Sequence, residues 1–549
     1  MLFATAYISS ETILLLIPEI VLIAAATWIF IAGAFPATQR GTSWFAIGAL
    51  LIAGVCLARQ DAAWEIFSTT FVARSVGPLS VDHFGHLVRW IVLALGLLLL
   101  LLSWRHREQE STEYTGALLC ALAGLMIVAA ANELVLLFLG LELLSIPTYV
   151  LLFLARRDGS AQEAGAKYFF LSILASAVLL YGFSFLYGAA GSTRLSDLRD
   201  AIWSDPVAPA VQMAVRIGAL LTFLGLAFRL TVVPFHFYAP DVYQGTSHPL
   251  AGFLATLPKV AGVAAIVRIF VILLPNQELQ TLTWQICLGL ALVTMTLGNV
   301  LALWQDNLRR LMAYSSIAHG GYLLVGLAVG FAARTEAISG FEPGHQLMDG
   351  FSATLLYLVV YAIATLGIFS AAAYLGRRKH EVQRVEELSG LYRAHPAMAA
   401  ALAICLFSLT GLPPLAGFWG KFAIFGGAIS IDLPSRLEPQ AAATIHYWFV
   451  AAAIVGMLNA AISAAYYLRI IAIMYFRPQL KKLAGQGTVG AYTCAACCAA
   501  LVVGIGLLPG RLFDTVRPIG PSVRQAARSE NAGPDVKAVS TTAGDRPRG

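Results

Sequence analysis

The sequence is long and strongly apolar: of its 549 residues, 58% are hydrophobic and only 12% are charged, with a mean hydropathy of +0.75. A single soluble core stops growing near about 250–300 residues, so this composition excludes a soluble globular protein. Apolar runs long enough to cross a bilayer, about 18 residues or more, recur along the chain. The net charge of +6 is small, and we interpret it as a guide to topology and not as a sign of nucleic-acid binding. The sequence therefore predicts an all-α, polytopic membrane protein.

The N-terminal part predicts two spans followed by a small hairpin. Residues 1–10 contain no Lys or Arg, so residues 11–34 are predicted to be a retained first span and not a signal peptide. Glu19 of this span is expected near the membrane interface. A second span covers residues 42–58, and the mixed, β-prone stretch 59–83 predicts a hairpin outside the membrane.

Two of the remaining predicted spans are interrupted. The seventh, at 210–233, is broken at Pro234 and followed by a half-helix or loop at 237–249, and the twelfth, at 396–430, is broken at residues 411–414. The first two spans, these two interrupted spans and ten uninterrupted spans make about fourteen spans by hydropathy. The uninterrupted spans are predicted at 84–104, 114–131, 132–155, 163–189, 250–274, 280–304, 309–331, 349–376, 443–476 and 488–508. Residues 517–549 are polar and predicted to be disordered.

Loop charges predict that the N-terminus lies outside, because cytoplasmic loops carry an excess of Lys and Arg. With that orientation the inside loops hold Arg40, Arg105, Arg107, Arg156, Arg157, Arg309, Arg310, Arg377, Arg378, Lys379, Arg384, Arg393, Arg477, Lys481 and Lys482. The outside loops hold only Arg59, Arg74, Arg194, Arg199, Arg334 and Arg436. The basic residues of the C-terminal tail, which fourteen spans would also put outside, run against this bias.

Charged and titratable side chains inside the spans are the candidate functional residues, because such groups at bilayer depth are costly and usually mark an ion or proton pathway. A buried lysine can release its proton, and histidines between such groups can pass protons through intervening water. Three candidates are central and have no opposite charge at i±3 or i±4, namely Glu142, Lys259 and Lys421. The other candidates are Lys167, Arg229, His236 and His319.

Simpler interpretations remain open for the less central groups. Lys167 could extend to the interface, His319 could be a core histidine, and His236 and His248 could cap carbonyls freed by the break. Asp241 could cap the helix that follows Pro240. Four arginines near span ends are expected at the interface: Arg89, Arg216, Arg268 and Arg469. The seven cysteines all fall in apolar spans, and Cys494 and Cys497 are interpreted as packing residues because no second pair accompanies them.

The two helix breaks predict an internal repeat. Arg229 precedes one break and Lys421 follows the other, five spans later. Units offset by an odd number of spans have opposite orientations, which is typical of inverted-repeat transporters. We therefore predict repeats at residues 114–274 and 280–476. They are flanked by three N-terminal spans at 1–113, a C-terminal span at 488–516 and the tail at 517–549.

Several segments carry a specific resemblance to a known family. The segments are ANELVLLFLGLELLSIPTYVL, EAGAKYFFLSILAS, VVPFHFYAPDVYQG, FLATLPKVAG, NVLALWQDNLRRLMAYSSIAHGGYLLVG and GLPPLAGFWGKF. Together they resemble the antiporter-like subunit N family of proton-pumping NADH:quinone oxidoreductase, respiratory complex I. The forms ELLSIPTY and PDVYQG are more similar to subunit N than to subunits L and M.

The resemblance implies roles for the charged residues. Glu142 would be the glutamate of span five, Lys167 and Lys259 the connecting lysines, and Lys421 the terminal lysine of the second half-channel. His236 would be the histidine that follows the break in span seven. The family usually has lysine where this chain has Arg229, and arginine stays protonated in proteins, so the usual charge-switching role cannot operate in the same way at this position.

The resemblance also implies what the chain binds. The chain itself would hold no cofactor and no metal, and NADH, FMN, iron–sulfur clusters and quinone would belong to other subunits. Its partners would be membrane-arm subunits of the M, K, J, A, H and L types, the lipid bilayer and protons, with no nucleic acid. The location would be a bacterial inner membrane.

Two other classes remain open at this stage. A stand-alone or multisubunit cation/proton antiporter would share the buried charges. A membrane scaffold that no longer pumps is the second alternative, and Arg229 is the residue that favours it.

Overall fold

A computed structural model describes residues 9–35, 41–67, 73–104, 111–155, 158–203, 209–273, 277–333, 348–376, 381–431, 433, 438–480, 485, 487–519 and 523. Much of the predicted loop charge lies outside these residues, namely Arg40, Arg105, Arg107, Arg156, Arg157, Arg334, Arg377, Arg378, Lys379, Arg436, Lys481 and Lys482. The predicted disordered tail also lies outside them, apart from residues 517–519 and 523.

The described chain is almost entirely helical. The first ten helices are α1 (Ser10–Gly33), α2 (Thr42–Trp64), α3 (His83–Ser103), α4 (Ser111–Ala130), α5 (Leu134–Ala155), α6 (Gly159–Ala190), α7 (Leu195–Trp203), α8 (Pro209–Leu230), α9 (Ala239–Gly245) and α10 (His248–Phe270). The others are α11 (Gln277–Leu303), α12 (Leu308–Ala332), α13 (Gly350–Leu375), α14 (Leu391–Ala394), α15 (Pro396–Thr410), α16 (Ala416–Ile429), α17 (Pro439–Phe476), α18 (Val489–Leu507) and α19 (Pro509–Val516). Short 3-10 helices cover Val271–Leu273 and Val385–Leu388.

The predicted fold class is confirmed. Within the described chain, 13 helices are long and apolar enough to cross a membrane. The fourteenth predicted span is the pair α15 and α16, which are separated by the predicted break at residues 411–414. Each predicted five-span repeat thus contains one interrupted member, α8–α9 in the first and α15–α16 in the second.

The centre of the protein is formed by helices that are buried on every side. The apolar windows of α10 and α12 are 100% buried, and that of α13 is 94% buried. A helix that is hydrophobic all round is expected in such an interior position. By contrast, only about a third of the corresponding window is buried in α2, α6 and α17. Lys259 on α10 and His319 on α12 are therefore enclosed by protein.

The predicted hairpin is present next to the N-terminal helices. Strands β1 (Arg74–Val76) and β2 (Leu79–Val81) pair antiparallel, with Ser75 opposite Ser80. Asp82 follows directly and caps α3 by accepting a hydrogen bond of 2.6 Å from the backbone N–H of Gly85. Its carboxylate also pairs with Arg268 at the end of α10. Burial alone would raise the pKa of Asp82, but the Arg268 guanidinium and the hydrogen bonds from Gly85 and Ser80 together hold that pKa below its ordinary value.

Glu19 and Arg89, which the sequence predicted at the membrane interface, form an ion pair inside the protein. Both side chains are buried, and Arg89 Nη2 lies 2.7 Å from Glu19 Oε2. Arg89 also donates to the Leu15 carbonyl at 2.7 Å and to Gln60 Oε1 at 3.3 Å. The pair joins α1 to α3, and each charge finds its partner in a different helix. Hydropathy of a single segment cannot detect such a partner.

We expect Arg89→Met to destabilise the N-terminal helices, because removing one partner of a buried ion pair leaves the other charge unpaired, at a cost of about 3–5 kcal/mol. The double variant Glu19→Gln with Arg89→Met should recover much of the loss. The measurement is the amount of folded protein in membranes together with its thermal midpoint after solubilisation. Equal midpoints for Arg89→Met and the unmodified protein would contradict this account.

Candidate functional site

The first break, between α8 and α9, leaves a carbonyl that binds the ammonium group of a buried lysine. Helix α8 ends at Leu230, and Pro234, which has no N–H to continue the helix, follows in the connecting segment. The Leu230 carbonyl, left without a helical partner, accepts a hydrogen bond of 2.9 Å from Lys259 Nζ on α10. The Tyr238 hydroxyl donates to the Phe228 carbonyl at 3.1 Å. The Lys259 side chain thus satisfies a carbonyl that the break leaves free, whereas the Phe228 carbonyl also accepts from the Thr231 N–H at 3.0 Å.

The second break repeats this arrangement in the other half of the protein. Helix α15 ends at Thr410, and Gly411 follows with φ 92°, a left-handed conformation that favours glycine. Lys421 Nζ, on α16, donates to the carbonyls of Leu409 at 2.9 Å and Thr410 at 2.8 Å. A cation is favoured at a helix C-terminus because the last carbonyls carry partial negative charge. Each break therefore binds one lysine through the C-terminal end of its first half-helix.

Both lysines lie deep within the protein. The exposed fraction is 0% for Lys259 and 7% for Lys421. From His248, where α10 begins, to Lys259 the helix rises about 16 Å at about 1.5 Å per residue. This is close to half of the hydrocarbon thickness of about 30 Å. Lys259 is therefore a mid-membrane cation held by a carbonyl and not by a carboxylate.

Glu142 and Arg229 form the carboxylate-containing part of the site. Arg229, in the last turn of α8, places Nη2 3.6 Å from Glu142 Oε1 on α5. The same guanidinium nitrogen donates to Ser145 Oγ at 2.6 Å, and the Ser176 hydroxyl donates to Glu142 Oε1 at 2.6 Å. Arg229 is buried, whereas the Glu142 side chain keeps 22% of its surface exposed. The pair adjoins Lys259, because Leu230, which accepts the lysine hydrogen bond, is the next residue after Arg229.

His319, on α12, lies between the two lysines. It is buried, and both of its ring nitrogens contact hydroxyl groups. Nδ1 bonds the Tyr357 hydroxyl, and Nε2 lies 3.1 Å from the Tyr467 hydroxyl. Towards Lys421, the ring of Tyr322 lies 5.7 Å from the His319 ring, and Lys421 Nζ lies 5.3 Å from the Tyr322 ring. A cation at this distance from an aromatic ring is attracted to it.

Lys167 and His236 stand apart from this buried set. The Lys167 side chain is 38% exposed and pairs with Glu163 and Asp241, each at 2.6 Å. Asp241 does not cap α9, which begins at Ala239; its carboxylate bridges Lys167 and Arg310, the latter at 2.8 Å. Partial burial would raise the pKa of Asp241, but the two cations outweigh it and lower that pKa.

Other histidines and arginines considered in the sequence have ordinary positions. His236 is half-buried in the segment that joins α8 to α9. His248, the first residue of α10, bonds the Val382 carbonyl through Nε2 at 2.9 Å. Arg216 pairs with Glu278 on the surface, and Arg469 lies 3.5 Å from Asp306.

Sequence reasoning missed the neutral residues of the site. Ser145 and Ser176 bind the Arg229–Glu142 pair, and Tyr357 and Tyr467 bind His319. Ser145 lies one turn from Glu142, so helical spacing could have suggested it. The other three belong to separate helices, and nothing in their local sequence distinguishes them from ordinary span residues.

In the described chain, no group of three or more His, Cys, Asp or Glu side chains could hold a metal ion. The expectation that the chain binds no metal stays a prediction. The buried ionisable groups of the site are Arg229, Lys259, His319 and Lys421.

The fold and these charges define an antiporter-like membrane protein, and comparison with known sequences agrees. The family described as "NADH:quinone oxidoreductase/Mrp antiporter, TM" matches residues 131–437. A protein of Parvibaculum lavamentivorans named NADH-quinone oxidoreductase subunit N is 34% identical over 483 residues, which cover 86% of this chain and 90% of that protein. The chain belongs to the NADH-quinone oxidoreductase subunit N family.

Solved structures share the fold. A chain of respiratory complex I from Thermus thermophilus with bound aureothin matches with a TM-score of 0.70 and 28% identity, covering 90% of this chain and 98% of that chain. A chain of the Mrp complex from a Dietzia species matches with a TM-score of 0.75 and 20% identity, covering 94% of this chain and 99% of that one. At that lower identity the Mrp comparison shows the fold alone.

We expect Gly320→Ala to disturb the Lys259 site. A Cβ atom on Gly320 would lie 2.8 Å from the Leu230 carbonyl oxygen, which accepts the lysine hydrogen bond, and 3.7 Å from Lys259 Nζ. Backbone must move to relieve this contact, so the variant should lose about 1–3 kcal/mol of stability.

The matched control is Gly289→Ala in α11, where an added Cβ meets nothing within 4 Å. Thermal midpoints of the two purified variants provide the comparison. A Gly320→Ala midpoint at or above that of Gly289→Ala would show that the break tolerates the added methyl group.

Proposed function

We propose that this chain translocates protons as a membrane-arm subunit of an NADH-quinone oxidoreductase. The observation that carries the proposal is the pair of buried lysines, each bound to the carbonyl end of a broken helix, with His319 between them. Such intramembrane ionisable groups mark ion or proton pathways. The names of the relatives supply the class of complex in which the pathway would work.

The proposed route runs from the Glu142–Arg229 pair to Lys259, then through His319 to Lys421. Lys259 and Lys421 would each hold and release a proton, and His319 would connect them. Lys167 and His236 belong to the approach to this route: Lys167 pairs with Asp241 of α9, and His236 lies in the segment that leads to α9. Water would complete the connections between these groups.

Arg229 is a fixed positive charge in this proposal. It remains protonated, and it lies on the face of α8 that contacts α10, because a Cβ on Gly262, one turn after Lys259, would lie 3.1 Å from Arg229 Cβ. When Glu142 is close, its negative charge offsets the arginine. When the pair separates, Lys259 experiences an uncompensated positive charge and releases its proton more readily. Opening and closing of the pair would thus control Lys259 without any proton leaving Arg229.

The redox chemistry would belong to other subunits. We propose that NADH, FMN, iron–sulfur clusters and quinone bind elsewhere in the complex, and that this chain binds no cofactor. Its neighbours would be membrane-arm subunits of the M, K, J, A, H and L types. The membrane would be a bacterial inner membrane with the N-terminus outside, as the positive-inside rule favours. Exposed apolar side chains such as Trp44 and Phe170, 65% and 69% exposed, suit contact with lipid or those subunits.

We expect Lys421→Ala and Glu142→Gln each to reduce proton translocation by at least about tenfold, because each removes one ionisable group from the route. The complex should remain assembled. The measurement is proton uptake by membrane vesicles per NADH oxidised, normalised to assembled complex.

Arg216→Ala serves as the matched control, since this arginine pairs with Glu278 at the surface with 43% of its side chain exposed. Its translocation should stay near that of the unmodified protein. If assembled complex with Lys421→Ala pumps normally, Lys421 is not on the route.

We expect Arg229→Lys to retain proton translocation and Arg229→Met to lose most of it. Lysine supplies the positive charge and can also titrate, whereas methionine leaves the Glu142 carboxylate without its partner at 3.6 Å. The ratio of translocation in the two variants, measured in the same vesicles, isolates the charge. If the Arg229→Met variant translocates protons like the unmodified protein, the prediction is wrong and Arg229 only stabilises the break between α8 and α9.

A further inference from the structure

The hydroxyl groups around His319 form a continuous hydrogen-bonded series. Tyr357 bonds Nδ1 of the imidazole, and Tyr467 bonds Nε2 at 3.1 Å. The Tyr467 hydroxyl also bonds Ser315 Oγ. These groups come from α12, α13 and α17. Four side chains on three helices are therefore linked by hydrogen bonds in the order Tyr357, His319, Tyr467, Ser315.

This series is sealed from solvent. The exposed fractions are 2% for Tyr357, 1% for His319, 0% for Tyr467 and 0% for Ser315. A neutral imidazole has one N–H donor and one bare acceptor nitrogen, and a hydroxyl group both donates and accepts. All the hydrogen bonds in such a series can therefore point in one direction, and all can be reversed together. A series with this property can pass a proton from one end to the other.

One end of the series lies beside Lys421. A Cβ on Gly420, the residue before Lys421, would lie 2.8 Å from Cδ2 of Tyr357. The Tyr357 ring lies 6.1 Å from that of Tyr322, which Lys421 also contacts.

The other end points towards the membrane face at which α12 begins and α17 ends. From Leu308, the first residue of α12, Ser315 is about 10 Å along the helix. At that face Arg469, two residues after Tyr467, lies 3.5 Å from Asp306. The Asp306 side chain is 83% exposed. The series therefore extends from beside Lys421 towards a charged, exposed surface.

We infer that Tyr357, His319, Tyr467 and Ser315 form a proton relay that connects Lys421 to this face directly, as a branch separate from Glu142 and Lys259. The inference rests on the proposed proton-translocating function. Ser315 and the two tyrosines are relay residues in addition to the charged groups of the main route.

Each transfer through the relay is balanced. For transfer towards Lys421, Ser315 gives its hydroxyl proton to the Tyr467 oxygen and takes one from water on the side of the face. Tyr467 gives its own hydroxyl proton to Nε2, and Nδ1 gives its proton to the Tyr357 oxygen. Tyr357 gives its own hydroxyl proton to water beside Lys421. One proton enters and one leaves, and rotation of the hydroxyls with a second imidazole tautomer exchange resets the series.

The test uses Tyr467→Phe and Tyr357→Phe in the intact complex, because each keeps the aromatic ring and removes only the relaying hydroxyl. Proton translocation per NADH oxidised should fall in part, and the part that remains should be carried by the route through Glu142 and Lys259. Tyr361→Phe is the matched control. Its ring centroid lies 4.8 Å from that of His319, but its hydroxyl bonds Ser316 at 2.8 Å and not the imidazole. This control should pump like the unmodified protein.

Two further measurements separate a relay from a packing role. Ser315→Ala removes the terminal hydroxyl without touching a ring, so it should reproduce the loss even if a tyrosine variant fails to assemble. The solvent deuterium isotope effect on translocation should change in Ser315→Ala and stay unchanged in Tyr361→Phe. Unimpaired pumping in both Tyr467→Phe and Ser315→Ala, or an equal loss in Tyr361→Phe, would overturn the relay. Absence of pumping by the unmodified complex would instead overturn the proposed function.

Discussion

The binding of a lysine ammonium by the free carbonyls of a half-helix is the interaction on which the interior of this protein depends. A charge moved into an apolar interior costs far more than a hydrogen bond returns unless it is paired or well solvated by the protein. A broken helix supplies that solvation, because its last carbonyls are unpaired and lie at the negative end of the helix dipole. The two breaks therefore create the places where Lys259 and Lys421 can be buried.

Carbonyl binding also leaves these lysines free to change charge. A carboxylate partner would favour the protonated lysine strongly and would itself be left unpaired when the proton departs. A carbonyl loses only a hydrogen bond, and neutral lysine can still donate one. The proposed route holds four basic side chains and the single carboxylate of Glu142, so protonating both lysines accumulates positive charge. Like charges in an interior of low dielectric constant repel. This repulsion favours states in which protons occupy the two lysines alternately.

The parts of the fold that sequence could predict are those governed by local chemistry. Hydropathy identified the spans, Pro234 identified one break, and the Gly411–Pro414 stretch identified the other, because proline has no N–H to continue a helix. A proline alone is not enough, since Pro18, Pro147 and Pro258 lie within the unbroken helices α1, α5 and α10. Partners across helices could not be predicted in the same way. Glu142 and Arg229 are 87 positions apart, and His319 and Tyr467 are 148 positions apart. Pairing at such separations depends on how the helices pack around α10 and α12, which no single segment encodes. For the same reason the sequence could not predict that Lys167, which does lie near the start of the span helix α6, pairs with Asp241 in a partly exposed ionic cluster.

Two of the buried ion pairs, Glu19–Arg89 and Glu142–Arg229, differ in how readily they could separate. Glu19 and Arg89 are 1–2% exposed and in contact at 2.7 Å, so separating them would leave two desolvated charges. Glu142 and Arg229 are 3.6 Å apart, the carboxylate is 22% exposed, and serine hydroxyls hold each partner independently. Separation then costs less, because Ser145 and Ser176 continue to solvate the charges after the ion pair opens. The presence of a charged residue within a predicted span does not distinguish one pair from the other. Of these two pairs, Glu142–Arg229 is the one that could separate at a lower cost, and it is also the one that lies next to Lys259.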